Sequence, residues 1–469
     1  MNVFNFDEEV LSDDLGRLKL EDNPLHFEGV EEQERILDPY EITPLNAHSF
    51  NRDEIATLMS HQRRRSSVYS RLSVNLSSSI SSFNQELTIP ANYESNPEDC
   101  QRDSGVTVDH INFSKKTLSD FEPLKVLGQG AYGRVHLVRD KSSNRLFAQK
   151  QVRKPTINIL KTTDENEHHI KRTISERQIL TNITHHPNIV KLFYALQDRD
   201  KFYLLLEYIP GGELFHHLAS PENQLGNAFK ESDVAFYAAE MALGLRHLHR
   251  LGIVYRDLKP ENCLLNSSGH LVLTDFGLSK TITDDKNNRC TSIIGTPEYM
   301  APEILKGESY GFAVDWWSLG CVIYDMMLGK PPFTGNSHKA IQNKIVKEKL
   351  NIPFYFSLDA KDMLHKLLNK NPNKRFSVDE KWDQFSNHRF FRKINWISLE
   401  KQDLKAKPPI EPVITDPSLA ENFDTQFTSL PVSDLNFDET YNIPMSHPSG
   451  SLFKGFSYTA SNSFIERFN

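Results

Sequence analysis

The sequence predicts an α+β chain folded into two lobes, a small strand-rich one followed by a larger helical one. Three observations carry this. From Phe121 the chain runs in short apolar stretches broken by glycine, as in "FEPLKVLGQGAYGRVHLVRD" and "RLFAQKQV", the texture of strands joined by turns. Beyond Glu213 the apolar residues recur at helical spacing instead. The flanks, 1–110 and 392–469, are polar and lack sustained periodicity. A strand-rich unit of about 90 residues followed by a helix-rich unit of about 180 is a two-lobed α+β arrangement.

Taken in order, residues 1–110 open acidic and then carry "RRRSSVYSRLSVNLSSSISSF" at 63–83. Such a segment cannot bury enough apolar area to offset its ordering entropy, so it is expected to be mostly disordered and regulatory. Residues 121–391 form the folded block. Within it, "RTISERQILTNI" places Ile174, Ile179 and Leu180 at helical spacing, and "KFYLLLEYI" reads as a strand. "ESDVAFYAAEMALGLRHLHRLG" (231–252) reads as a helix with Ser232 or Asp233 as N-cap and Gly252 as its stop. The most apolar run, "GFAVDWWSLGCVIYDMMLG" (311–329), holds Asp315 and Asp325. Carboxylates are costly in lipid, so a buried core helix is expected and no membrane span. Residues 392–469 are a tail with isolated apolar clusters.

Composition narrows the function classes. Lys and Arg number 54 against 62 Asp and Glu, a net charge of −8, so no broad basic face and no nucleic-acid partner is expected. Cys100, Cys263, Cys290 and Cys321 form no C-x-x-C pair, which argues against zinc and a disulfide framework. A reduced intracellular compartment follows, the cytoplasm first and the nucleus second. The acidic start "MNVFNFDEEV" is unlike a secretory signal.

The chemistry sits in ordered motifs. "GQGAYGRV" supplies Gly128, Gly130, Gly133 and Val135. Alone it could open a Rossmann fold. The strand-like "RVHLVRD" that follows favours a hairpin lid over phosphates, and no Rossmann strand repeat appears, so an NAD-binding enzyme is set aside. Lys150 in "FAQKQV" and Glu176 in "SERQIL" are each unremarkable singly, but together can form the ion pair that orients nucleotide phosphates. In "YRDLKPENCLL", Asp257 can accept the proton of an attacking hydroxyl, Lys259 can neutralise the transferring group, and Asn262 can hold a metal ion. "DFG" then places Asp275 to chelate Mg²⁺, and "APE" follows at Ala301–Glu303.

This order of motifs resembles the protein kinases over residues 121–391, and implies their two-lobed fold and an ATP and Mg²⁺ requirement. No base or metal residue is missing, which argues against a pseudokinase scaffold. Tyr255 stands where many kinases have His. The resemblance implies that Leu127, Val135, Ala148, Leu264 and the tail residue Phe423 line the nucleotide pocket, with Leu206 as gatekeeper and Glu207 and Tyr208 in the hinge. Leu180, Leu192, Tyr255 and Phe276 would stack as a spine between the lobes.

"YRDLKPEN", "GTPEYMAPE" and "PGGELFHHL" resemble the basophilic AGC group. "WISLEKQDLKAKPPIEP" and "ENFDTQFT" look like its C-terminal extension, and "LFKGFSYT" like its hydrophobic motif. By that resemblance Phe453 and Phe456 insert between the Glu176 helix and adjacent strands. Burying two Phe rings is worth roughly 3–6 kcal/mol before the tail's ordering cost. Phosphorylation of Ser457 would add about −1.5 to −2 charges and tip the balance through a basic partner. Ser292 matches the activation-loop acceptor, with Thr291 as alternate, and Arg172, Arg256 and Lys280 would clamp its phosphate. Glu213, Glu261 and Asp325 match acidic positions that bind basic residues upstream of a phosphoacceptor, so Arg-x-x-Ser/Thr or Arg-x-Arg-x-x-Ser/Thr substrates are expected. Glu213 should also reach the ribose.

No pleckstrin, C1 or C2 domain is legible, which leaves a B-type-like kinase without its lipid-binding domain as the rival. "FNFDE", with Phe4, resembles the motif with which ribosomal S6 kinases dock on the TOR complex, and "TSLPVSDL", with Ser433, the turn motif. The resemblance thus implies a monomeric S6-kinase-like enzyme, activated by an AGC master kinase and TOR, acting on ribosomal protein S6 or similar substrates. Arg64 stands three residues before Ser67. That site fits autophosphorylation, a pseudosubstrate, a target of another basophilic kinase, or a solvated linker patch.

Overall fold

A computed structural model of the chain describes residues 116–130, 133–154, 164–183, 185–219, 228–282, 289–376, 378–432, 453 and 455–467. Phe4, the segment 63–83 with Arg64 and Ser67, and Ser433 lie outside them.

The small lobe is built on an antiparallel sheet of β1 (Phe121–Gly130), β2 (Gly133–Asp140), β3 (Leu146–Arg153), β4 (Leu192–Gln197) and β5 (Lys201–Glu207). Their spatial order is β1-β2-β3-β5-β4, so neighbouring strands are joined mostly by short turns. Gly133 opens β2 because a Cβ there would lie 1.7 Å from the Gln151 carbonyl oxygen on β3, a separation no side chain tolerates. One sheet face carries a cluster of Phe121, Phe147, Phe193, Tyr194 and Tyr203; the other joins the main core. Helix α1 (Asp164–Asn182), which carries Glu176, packs on β4.

The large lobe is organised by two buried helices, α2 (Glu231–Arg250) and α3 (Ala313–Leu328), which pack on each other. α2 corrects one expectation. Its N-cap is Lys230, and Ser232 and Asp233 lie inside the first turn, where Asp233 and Glu231 favour the positive end of the helix dipole. The start is fixed by the buried face that begins at Val234, not by a side-chain cap. Gly252 lies just past its end at φ +74°, the left-handed turn that stops the helix.

α3 is buried along almost its whole length, and its two acids are satisfied by loops. Asp315 accepts the backbone N–H groups of Tyr255 and Arg256, each at 2.8 Å, and contacts His249 Nε2 at 2.8 Å. No helix among the described residues is long and apolar enough to cross a membrane. The buried Arg375–Glu303 pair, bidentate at 2.6 and 2.8 Å, ties the "APE" segment to the base of this lobe.

Short ribbons frame the cleft. β6 (Ile253–Val254) pairs with β9 (Lys280–Thr281), and β7 (Cys263–Leu265) with β8 (Leu271–Leu273). The tail returns across the hinge, where Tyr208 Oη donates to the Pro417 carbonyl and Asn422 Nδ2 to that of Pro210. It ends on the small lobe with β10 (Tyr458–Thr459), a sixth strand beside β4, and α4 (Asn462–Arg467).

Candidate active site

The cleft between the lobes gathers the residues that the motifs single out. Leu127, Val135, Ala148, Tyr208 and Phe423 belong to one apolar cluster, with Ala420 from the tail. Phe423 stacks on Tyr208 at 5.9 Å between ring centres. An apolar lining with a stacked aromatic pair suits a purine. Leu264 packs from the large-lobe side, Leu206 is buried on β5, and Glu207 is held by Lys191 at 2.6 Å. Gly128 and Gly130 lie on the β1–β2 hairpin, where Gly128 has open space around it; the tip, 131–132, lies outside the described residues.

Lys150 projects from β3 into the cleft, and its Nζ lies 2.7 Å from Glu176 Oε1 and 2.8 Å from Asp275 Oδ1. Register explains this: Lys150 faces Val135 on β2 and Leu204 on β5, so it lies mid-sheet with its side chain on the cleft face. Burial works against its charge, but the two carboxylates outweigh that and hold the ammonium well above its ordinary range. Glu176 is buried and its carboxyl is raised by desolvation in spite of Lys150. For Asp275 desolvation also opposes ionisation, yet Lys150 overrides it and brings the carboxyl down to about 2. Its side chain is 48% exposed, so an ionised carboxylate faces the cleft.

Asp257 sits opposite. Its Oδ2 lies 3.1 Å from Lys259 Nζ and accepts from Asn262 Nδ2 at 3.0 Å, while Thr296 Oγ1 donates to Oδ1 at 3.3 Å. Burial, partly offset by Lys259 and reinforced by Asp275, pushes Asp257 up to about 6. Such a carboxylate is a far better proton acceptor near neutrality than an ordinary one. Arg256 and Asp275 both adopt positive φ, +67° and +57°. Two non-glycine residues in that region beside the reacting groups mark backbone strain held by the surroundings, here by Asp315 and the β6–β9 ribbon. Leu180, Leu192, Tyr255 and Phe276 are all buried in one core, with Tyr255 against Phe276 at 5.2 Å. The Tyr255 hydroxyl donates to the Thr274 carbonyl.

The acidic residues divide. Glu213 is exposed at the cleft mouth, and Glu261 holds a buried Oε2 to which no hydrogen bond is made among the described residues. The Cys263 thiol is pushed up by burial and then by both carboxylates, which puts the two on one side of the catalytic loop. Asp325, on the buried face of α3, is 3% exposed, and its Oδ2 accepts the Tyr299 hydroxyl at 2.7 Å.

Around the activation segment, Ser292 and Thr291 are exposed, and the Ser292 carbonyl accepts from Tyr310 Oη at 2.7 Å. Burial pushes the Cys290 thiol up against the Arg256 and Lys280 charges, so both cations lie beside the residue two before Ser292. Arg256 Nε donates to the Leu278 carbonyl at 2.6 Å and Lys280 Nζ to that of Arg289 at 3.3 Å. Arg172 is exposed on α1, which packs on β9; among the described residues it is not brought into contact with the other two.

The tail groove now has walls. Phe202 of β5 meets the Phe453 ring at 5.1 Å and the Phe456 ring at 4.4 Å. Arg177 Nε donates to the Phe456 carbonyl at 3.1 Å, Arg177 Nη2 to that of Ser457 at 3.4 Å, and Gln197 Nε2 to that of Phe453 at 3.2 Å. Arg177, Gln197, Phe202 and Asp315 are the functional positions that the motifs do not disclose. Arg177 carries one signal, its adjacency to Glu176 on the helix, and Asp315 another, a charge inside an apolar run.

The protein kinase domain family matches residues 121–391. The serine/threonine-protein kinase YPK3 of Saccharomyces cerevisiae is 46% identical over 417 residues, covering 76% of this chain and 77% of that protein. Ribosomal protein S6 kinase 2 alpha of Gallus gallus is 42% identical over 346 residues, covering 73% of this chain and 43% of that protein. Ribosomal protein S6 kinase alpha-1 of Homo sapiens is 42% identical over 346 residues, covering 73% and 44%. The chain thus aligns with less than half the length of these two S6 kinases.

Proposed function

Because the chain belongs to the protein kinase family, as a serine/threonine kinase of the AGC group that resembles the ribosomal S6 kinases, we propose that it phosphorylates Ser or Thr in peptides with upstream arginine. The observation that carries the substrate class is the Glu261 carboxylate, whose buried Oε2 lies in the catalytic loop without a hydrogen-bond partner among the described residues. A buried acceptor of that kind is a cost until a guanidinium meets it, and that cost becomes discrimination against peptides lacking one. Glu213 supplies a second acceptor at the mouth of the cleft.

The family uses ATP and Mg²⁺, and the residues present suit them. The Leu127–Val135–Ala148–Tyr208–Phe423 cluster suits an adenine, and Asp275 is an ionised, half-exposed carboxylate beside Lys150. Asn262 donates its Nδ2 to Asp257, which leaves its amide oxygen as the second metal donor. Mg²⁺-ATP, when bound, supplies the phosphoryl group and neutralises charge on it. The chain's own residues do the rest. Lys150, fixed by Glu176, orients phosphate oxygens. Asp257 takes the proton of the substrate hydroxyl as its oxygen forms the new P–O bond and ADP departs. Lys259 steadies the Asp257 carboxylate and the charge beside it.

On the same reading Ser292 is phosphorylated by an AGC master kinase and then held by Arg256, Lys280 and Arg172. Ser457 is phosphorylated under TOR control. The enzyme acts as a monomer in the cytoplasm, with the nucleus as a second compartment, on ribosomal protein S6 or similar proteins. The names and identities of its relatives support the likeness to the S6 kinases from which this reading starts.

The test is a peptide pair that differs only by Arg or Ala three residues before the Ser, with the wild-type protein and Glu261→Gln. Wild type should favour the Arg peptide, and Glu261→Gln should lower kcat/KM for that peptide about 10- to 100-fold while sparing the Ala peptide. Equal use of both peptides by wild type would overturn the substrate class. Phosphosite mapping with and without TOR inhibition tests the signalling placement: Ser457 phosphate that persists unchanged sinks it.

A further inference from the structure

The segment after the hydrophobic motif does something the two Phe anchors alone do not. From Phe456, buried on one face of the small-lobe sheet, the chain passes Ser457 and enters β10. There Tyr458 pairs with Ala195 and Thr459 with Tyr194, and the Ala460 N–H donates to the Phe193 carbonyl at 2.9 Å. The chain then turns onto the opposite face. On that side Phe464 meets Phe193 at 5.6 Å between ring centres, and Phe464 and Ile465 both pack on the Phe121–Phe147–Tyr194 cluster. Arg145, seated over the Phe193 ring at 4.1 Å, donates Nη1 to the Ile465 carbonyl at 3.4 Å. The tail therefore grips the sheet from both faces around the edge of β4.

A strand of two residues cannot hold itself on a sheet edge, so its anchors decide whether it stays. The inner anchor lies before it and the outer anchor after it. With the inner anchor alone, the strand and the Ser457 carbonyl could fray from the far end. That carbonyl and the Phe456 carbonyl are the acceptors of Arg177, whose neighbour on α1 is Glu176. Arg177 also lies over the Tyr458 ring at 5.6 Å. Strand register, Arg177 and the facing of Glu176 toward Lys150 thus form one chain of contacts.

We propose that residues 458–465 are a latch whose outer anchor, Phe464, is a positioning residue for the Glu176–Lys150 pair, acting through β10 and Arg177. Phe464 touches no reacting group. The activity arm of the proposal rests on the kinase reading; the exchange arm does not, so the two can fail separately.

The experiment uses the full chain with Phe464→Ser and, as the conservative variant, Phe464→Leu. Hydrogen exchange is followed at the Ala460 amide, which donates to the Phe193 carbonyl, together with KM for ATP and kcat/KM on an Arg-containing peptide. Removing one aromatic contact of this kind should lower Ala460 protection about fivefold in Phe464→Ser. KM for ATP should rise and kcat/KM fall, Phe464→Leu should recover most of both, and thermal unfolding of the domain should not move. Unchanged Ala460 protection in Phe464→Ser overturns the latch. Lost protection with kcat/KM unchanged overturns the positioning role.

Discussion

Replacing Phe456 by alanine asks whether the tail is a ligand of the small lobe or part of its core. Phe456 is 3% exposed and its ring lies 4.4 Å from that of Phe202. Truncating a buried Phe in a core costs about 3–5 kcal/mol. If the tail docks as a unit, that cost falls on the docking equilibrium and not on folding. At about 1.4 kcal/mol per decade, the docking constant should drop roughly 100- to 4,000-fold. Phe453, Tyr458 and Phe464 remain, so the loss is at the lower end of that range if they re-seat. The assay has two parts. Peptide phosphorylation should fall to the level of an undocked enzyme, with KM for ATP raised because Glu176 no longer faces Lys150 persistently. Calorimetry should show the main transition of the domain essentially unmoved, with tail amides freely exchanging. A main transition lowered by several degrees would refute the reasoning, since it would make Phe456 a core residue of the fold. So would a freed tail with unchanged kcat/KM.

Two further perturbations test the site and its support. Lys150→Met removes the cation between Glu176 and Asp275; phosphoryl transfer should fall at least about a hundredfold, with the protein still folded by circular dichroism. His249 gives a pH signature. Burial lowers its basicity, but Asp315 and Asp379, at 2.8 and 2.9 Å, overcome this and raise its pKa to about 9. A group raised in the folded state stabilises fully below its unfolded value, about 6.5, and loses that contribution as pH climbs through about 9. The amount is about 3 kcal/mol. Urea unfolding at pH 6 and pH 9.5 should show the loss in wild type and little pH dependence over that window in His249→Gln; equal slopes in the two proteins would exclude the mechanism.

What the sequence discloses of this site depends on how each residue is connected. Lys150, Asp257, Asn262 and Asp275 are legible because each stands inside a short motif whose spacing the chemistry dictates. Phe423 is legible only through the resemblance of the tail to the AGC extension, and it crosses from there to stack on Tyr208. The tail groove is placed by resemblance, but its walls are not legible. Phe202, Gln197 and Arg177 come from separate elements, and an aromatic in an apolar strand reads the same whether it faces a groove or a core. Asp315 shows a different limit. The sequence displays a charge in an apolar helix and so argues against lipid. That this charge holds the backbone of Tyr255 and Arg256 is a contact across some sixty residues, which periodicity does not encode. The N-cap of α2 moved by two to three residues because a buried face, beginning at Val234, outweighs a local cap.

β10 also has a bearing on solubility. Without it β4 would be the last strand of the sheet, and β4 is buried at every position but one. A flat apolar edge with open backbone donors and acceptors is a template for pairing with other chains. The tail covers that edge with a strand only two residues long, too short to propagate pairing itself. Release of the tail would therefore unmask the edge as it withdraws Glu176 from Lys150. The inactive form of this kinase would be its self-associating form, and a docked tail would protect the protein from aggregation as well as hold it ready for catalysis.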